Sequence, residues 1–259
     1  MDSDSCLSYF SEHPMRKDKE MIYVQSPSID RGPVFHRWEK LLLFLLSAIS
    51  GVVDVISFLT LKIFAAHITG NLVLIAAAVA GGNNPRSDQV LAIPVFMAAT
   101  AAAWLIVKTS GLQGLRLARL LLAAQFFLLV AVFVIAISYR PSVNPRGPMF
   151  TAAAMTAVAA IAFQFAFLRV IMPKAPPTSV MTGHLSSFTL ALSDCVAGEA
   201  LPEGATQRLR NPFFLLFGFL GGCAAGAGAV LFFGDWSWLL AVVLAAVAIV
   251  VVPAAGSPA

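Results

Sequence analysis

Beyond Lys40 the chain is a succession of apolar runs, and their lengths confine it to very few folds. Six are long: Leu41–Ala66, Val90–Lys108, Arg119–Ser138, Met149–Ile171, Pro212–Gly234 and Trp236–Val252. An apolar helix needs about 20 residues to cross a bilayer, so each is a candidate span. Only 12% of the 259 residues are charged and 59% are hydrophobic. A soluble domain carries about 25% charged residues. The reading is an all-α, polytopic membrane helix bundle of about six long transmembrane helices with the lipid bilayer as its solvent.

Residues 1–40 are polar, mixed in charge and broken by Pro14, Pro27 and Pro33. They read as a disordered cytoplasmic tail, with no apolar stretch near Met1 that would mark a signal peptide. Residues 41–252 form the membrane domain and 253–259 a short C-terminal tail. The net charge of +4 does not point to nucleic acid, because the basic residues sit in loops and at helix ends. Cys6, Cys195 and Cys223 follow no metal-ligand spacing. Neither a metal nor a cofactor is implied.

Two further segments, Asn71–Gly82 and His184–Val196, each give about 18 to 20 Å of helix at 1.5 Å per residue, short of the ~30 Å hydrocarbon core, which leaves re-entry, an interfacial position or a tilted crossing open. Each follows a Thr-Gly pair, Thr69-Gly70 or Thr182-Gly183. Threonine is a good N-cap and glycine tolerates unusual backbone, so both pairs read as helix starts. The order is then long, short, long, long, twice over. This is an internal duplication, with a first repeat at about 41–138 and a second at about 149–252. Matching Thr69 to Thr182 sets Asn71 opposite His184 and the helix Val90–Lys108 opposite Pro212–Gly234. The first of these helices carries Ala98 and Ala102; the second carries Gly218, Gly222 and Gly226, a doubled G-x-x-x-G for close helix packing within one chain or between two.

Charge decides the expected topology. With six spans, the inner side holds 13 of the 17 Lys and Arg, leaving Lys62, Arg86, Arg140 and Arg146 outside. Crossing by both short segments would destroy that bias, so the positive-inside rule favours six spans with both termini cytoplasmic. Tyr139, Trp236 and Trp238 then fall at the outer interface. Three spans per half make the repeat inverted, as in many secondary transporters.

Asp54 lies 14 residues into the first run. An Asp at a helix centre costs about 2.5 to 3.5 kcal/mol on insertion scales and marks a functional candidate, as a proton- or cation-linked site or a counter-charge. The alternative is a structural carboxylate paired with a neighbouring helix or with the N-terminus of a short one. Gly51, one turn away, would open space beside it. Thr69-Gly70-Asn71 and Thr182-Gly183-His184 could aim backbone N–H groups at a solute, or could be capping and turn chemistry alone. His67 and His184 are candidates for proton relay, with capping as the alternative. Gln164 is the polar counterpart of Asp54 in the second half, displaced by an insertion at Pro173–Pro177. Ser186, Thr189 and Ser193 make a polar stripe for a water-filled cavity or an interface. There is no enzyme signature.

Gly51-x-x-Asp54, Phe58, Phe64, His67-x-Thr69-Gly70-Asn71 and the later Thr178-Ser-Val-Met-Thr182-Gly183 together resemble the YoaK-like family of bacterial membrane proteins, a domain of unknown function. The resemblance spans about Leu41 to Val252 and implies about six membrane helices and an inner-membrane location. The Gly-x-Gln-Asn pattern of the fifth helix stands here as Phe163-Gln164-Phe165. The family brings no substrate. The expected function is a small secondary transporter or permease for a small solute or ion, proton- or cation-linked, with Asp54 and the two Thr-Gly starts along its pathway. The alternative is a non-transporting scaffold, sensor or lipid-binding module. A homo-oligomer held by the glycine face is also open.

Overall fold

The computed structural model describes residues 35–140, 143, 147–173, 181–196 and 205–252; the rest of the N-terminal tail, the C-terminal tail, Arg146 and all of the expected insertion after Pro173 lie outside them. Among the described residues eight α-helices follow one another: α1 Phe35–Leu61, α2 Ile68–Ala80, α3 Ser87–Thr109, α4 Gly114–Tyr139, α5 Pro148–Ile171, α6 Met181–Val196, α7 Ala205–Phe233 and α8 Trp238–Val251. A 3₁₀ turn, Gly234–Ser237, joins the last two. There is no strand among the described residues.

Residues 39–61, 87–109, 114–139 and 148–171 are each long and apolar enough to span a membrane, and so is 214–251. The last stretch has 38 residues, about 57 Å of helix at 1.5 Å per residue, nearly twice the ~30 Å hydrocarbon core. The turn at Gly234, whose φ is +54°, divides it in two. α1 stops at Leu61 rather than running on to Ala66, because Lys62 takes a left-handed φ of +58° that no helix continues.

Contacts between helices give the direction of each. Phe44, Ala48 and Val52 of α1 meet Gly218, Gly222 and Gly226 of α7 in that order, so these two helices run parallel. Thr151 donates to Asp88 and Phe165 packs on Phe96, so α3 and α5 are parallel as well. Gln89 donates to the carbonyl of Lys62, placing the start of α3 beside the end of α1. Arg119 donates to the carbonyl of Val252 while Phe133 packs on Trp236, so α8 runs antiparallel to α4. The chain traverses the bundle six times, with α1, α4 and α7 in one sense and α3, α5 and α8 in the other. Both α2 and the loops around it stay at the Lys62 end.

The core lies where α1 meets α7, α8 and α5, and where α5 meets α3 and α4. The α1–α7 seam is backbone against backbone. A Cβ on Gly222 would stand 2.2 Å from the carbonyl oxygen of Ala48, and one on Gly218 2.6 Å from that of Phe44. Ser47 donates across the same seam to the carbonyl of Leu215 at 2.6 Å. The doubled G-x-x-x-G is therefore used inside the chain, and it leaves no glycine face there for a second copy. Ala98 and Ala102 do not play the matching part in α3: both are exposed, and Ala92 and Ala103 are the buried small residues. Trp238 is not an interface anchor but the largest fully buried side chain among the described residues, whereas Trp236 and Tyr139 are exposed.

Candidate functional site

Between α1 and α2 the backbone leaves helical form at Lys62 and turns back along α1. Asp54 stands seven residues before Leu61, about 10 Å along the axis from the helix end. Its Oδ1 accepts the N–H of Ala66 at 2.7 Å and that of His67 at 3.4 Å. Its Oδ2 pairs with Nδ1 of His67. The segment 62–67 thus descends roughly 10 Å into the bundle before α2 carries the chain out again. It is a hairpin folded back into the bundle, and Asp54 marks its depth.

Irregular backbone inside an apolar bundle survives only if its polar groups find partners. Buried side chains supply them here. Asn71, fully buried in the first turns of α2, accepts the N–H of Phe64 at 2.9 Å and donates to its carbonyl at 2.8 Å. Asp54 takes the N–H of Ala66 and His67, and Gln89 takes the carbonyl of Lys62 at 3.1 Å. The carbonyl of His67 accepts from Gly70 at 2.8 Å. Ile63, Ala65 and Ala66 fill the space around them, buried to 2% exposure or less. Phe64 stacks on Phe58 with ring centroids 4.7 Å apart. Gly70 makes room for that stack, since a Cβ there would lie 2.9 Å from the Phe64 ring.

The spacing Asp54, Phe58, Phe64, His67, Gly70, Asn71 is thereby accounted for residue by residue as the bond set of one hairpin. Gly51 does not open space beside the carboxylate as expected. The position of its missing Cβ is taken by α7, with the carbonyl oxygen of Phe219 2.4 Å away. Phe219 also sets its ring edge-on to His67, 5.2 Å between centroids. Thr69 is exposed and lies inside the first turn of α2, whose N-cap is His67. Thr182 likewise falls inside α6, which begins at Met181. Neither threonine is an N-cap.

Gln164 is fully buried on α5, and like Asp54 it stands seven residues before the end of its helix, Ile171. Its surroundings differ. Its Nε2 donates to the carbonyl of Leu46 and to Oγ of Ser50, each at 2.8 Å, and its Oε1 accepts from Nε2 of Gln125 at 2.8 Å. This node ties α1, α4 and α5 together, and among the described residues it shares no hydrogen bond with the hairpin. In α6, Ser186, Thr189 and Ser193 are exposed, and each donates to the carbonyl four residues earlier. The stripe is satisfied within its own helix, which suits an apolar surrounding as well as a wet one. Gly183 is half-buried, and the side chain of His184 lies outside the described ones.

Two groups of residues were missed. Asp88 is buried in the first turn of α3, where it accepts from Thr151 at 2.6 Å and pairs with Arg86 at 3.3 Å. An acid just before an apolar run is a helix-start signal that could have shown it. Gln125 and Ser50 complete the Gln164 node, and Gln125 carried the same mark as Gln164, a lone amide in a long apolar run.

Comparisons with curated proteins and with solved structures find no match. The family model described as protein of unknown function, DUF1275, matches residues 42–251, which takes in every contact of the hairpin and of the glutamine node, and the chain belongs to that family.

Proposed function

We propose that this protein is a small secondary transporter of a bacterial inner membrane, with cytoplasmic termini, whose pathway runs along the re-entrant hairpin and is linked to a proton or another cation. The observation that carries the reading is the Asp54–His67 pair, an acid and a base set about 10 Å into the bundle at the start of a short helix. Broken helices at such depth form the ion and solute sites of inverted-repeat transporters.

The packing supports an inverted repeat. Exchanging α1, α2, α3 and α4 for α5, α6, α7 and α8 turns the pair α1–α7 into α5–α3, α4–α5 into α8–α1, and α2–α3 into α6–α7. All six of these pairs are in contact. The pairs α1–α5 and α4–α8 map onto themselves and are also in contact. The parallel sense of α1 with α7 is repeated by α3 with α5, and the two halves run in opposite directions. Asp54 and Gln164 share one register in this scheme.

One observation favours the second reading, a non-transporting scaffold or sensor: every contact of Asp54 given above is spent on holding the hairpin. Flux decides between them. Proteoliposomes holding the protein are screened for proton-driven uptake of small solutes, beside a folded Asp54→Asn variant. Uptake that the variant loses supports transport. A folded variant with wild-type behaviour throughout, under conditions where the protein is active, removes the transport assignment.

A further inference from the structure

We infer that the working atom of the hairpin is Nε2 of His67, a proton-exchanging base reached by water from the Lys62 end of the bundle, and that Asp54 is the residue that positions it. The use of that proton for transport rests on the reading above; the chemistry of the site does not.

Asp54 is buried, and both of its oxygens are occupied, Oδ1 by two backbone N–H groups and Oδ2 by the ring. His67 is different. A carboxylate only accepts, so Nδ1 is the nitrogen that carries the hydrogen between them, and Nε2 keeps its lone pair. Among the described residues Nε2 has no protein partner. The ring is held on one side by the carboxylate and on another by Phe219, and 27% of the side chain is exposed. A carboxylate on Nδ1–H fixes the tautomer and turns Nε2 outward, the arrangement that orients the histidines of catalytic triads and metal sites.

The charges balance simply: Nε2 takes a proton from water and gives it back, while Nδ1–H stays on the carboxylate. One proton bound or released is the whole reaction. Among the described residues, the titratable groups beside the ring are Asp54 of α1 and Cys223 of α7, one turn beyond Phe219 and packed on Gly51. The sequence of α2, Ile68–Ala80, contains none. Access follows from packing. Toward the start of α1, Gly218 and Gly222 close the seam against Phe44 and Ala48 with no room for water. The hairpin itself enters from the end that carries exposed Lys62.

Hydrogen–deuterium exchange at Cε1 of histidine, read peptide by peptide by mass spectrometry in proteoliposomes, tests this directly. It requires water at the ring and follows protonation, so a lipid-facing His67 would stay silent. We expect His67 to exchange with a sigmoidal pH profile. In Asp54→Asn the ring loses the carboxylate that fixes it, and the profile should change. A His67 that does not exchange, or a profile unmoved in Asp54→Asn, overturns the inference. If that variant does not fold, His67→Cys serves: an impermeant thiol reagent should label it from the Lys62 side only, and labelling from the other side or from neither sinks the proposal. The exchange needs no solute. A positive result with no flux would leave this inference standing and remove transport.

Discussion

Asn71 and Phe64 are joined by two hydrogen bonds, the side-chain amide of one reading both the N–H and the carbonyl of the other. Only an amide offers a donor and an acceptor in that fork. Replacing Asn71 by Leu strands both backbone groups of a buried loop, at about 1–3 kcal/mol for each unsatisfied group. Thermal unfolding in detergent should show Asn71→Leu clearly destabilised, with the exposed Asn83→Leu near wild type. Equal stability of the two variants would show that the clamp does not hold the hairpin.

The glycines of α7 separate into two faces. Gly222 lies against α1, where a Cβ would stand 2.2 Å from the carbonyl oxygen of Ala48, whereas nothing lies within 4 Å of Gly221. Separations below 3.0 Å force the backbones apart, and parting a glycine seam forfeits dispersion contacts along its length. Gly222→Ala should lower stability strongly, Gly226→Ala much less, since its Cβ would meet Val52 at 3.1 Å. Gly221→Ala should be neutral or slightly stabilising, because alanine is the better helix former by about 1 kcal/mol. Purified yield and thermal midpoint rank the three, and an inverted order would contradict the seam.

Much of this architecture was legible in the residues. Every apolar run longer than about 17 residues became a helix, because length and apolarity alone suffice where backbone groups must bond internally. The G-x-x-x-G face told of close packing for the same reason. The site was legible as a list and not as a geometry. Asp54, His67, Gly70 and Asn71 were all marked, yet the purpose of their spacing depends on where the chain reverses. That reversal rests on one left-handed residue, Lys62, whose side chain gives no warning of it. Gly51 was misread because the helix facing it comes from 168 residues or so further along, as the bond from Ser47 to Leu215 shows. No local pattern carries that information.

The glutamine node makes a prediction about coupling. Gln164 makes three side-chain hydrogen bonds, while Oε1 of Gln125 has no hydrogen-bond partner among the described residues. Gln164→Leu should therefore cost more than Gln125→Leu, which already gains from removing an unsatisfied acceptor. The double variant should cost less than the two added together, by about 0.5–3 kcal/mol, as expected for residues sharing one network. Unfolding free energies of the four proteins form the cycle. Strict additivity would mean that the bond between them contributes nothing.

The hairpin itself can be tested by sidedness. If α2 crossed the membrane, Lys62 and Asn83, which flank the segment holding it, would face opposite compartments. In the structure both lie at one end: Gln89, six residues after Asn83, bonds the carbonyl of Lys62. Leu112 and Gln113, between α3 and α4, lie at the other end, near the side where Arg119 meets Val252. With the native cysteines replaced, Lys62→Cys, Asn83→Cys and Gln113→Cys are each treated with an impermeant thiol reagent in sealed vesicles of known orientation. The first two should react from the same side and the third from the opposite one. Labelling of Lys62→Cys and Asn83→Cys from opposite sides would turn α2 into a span, break the match between Asp54 and the hairpin depth, and reverse the sense of every helix that follows.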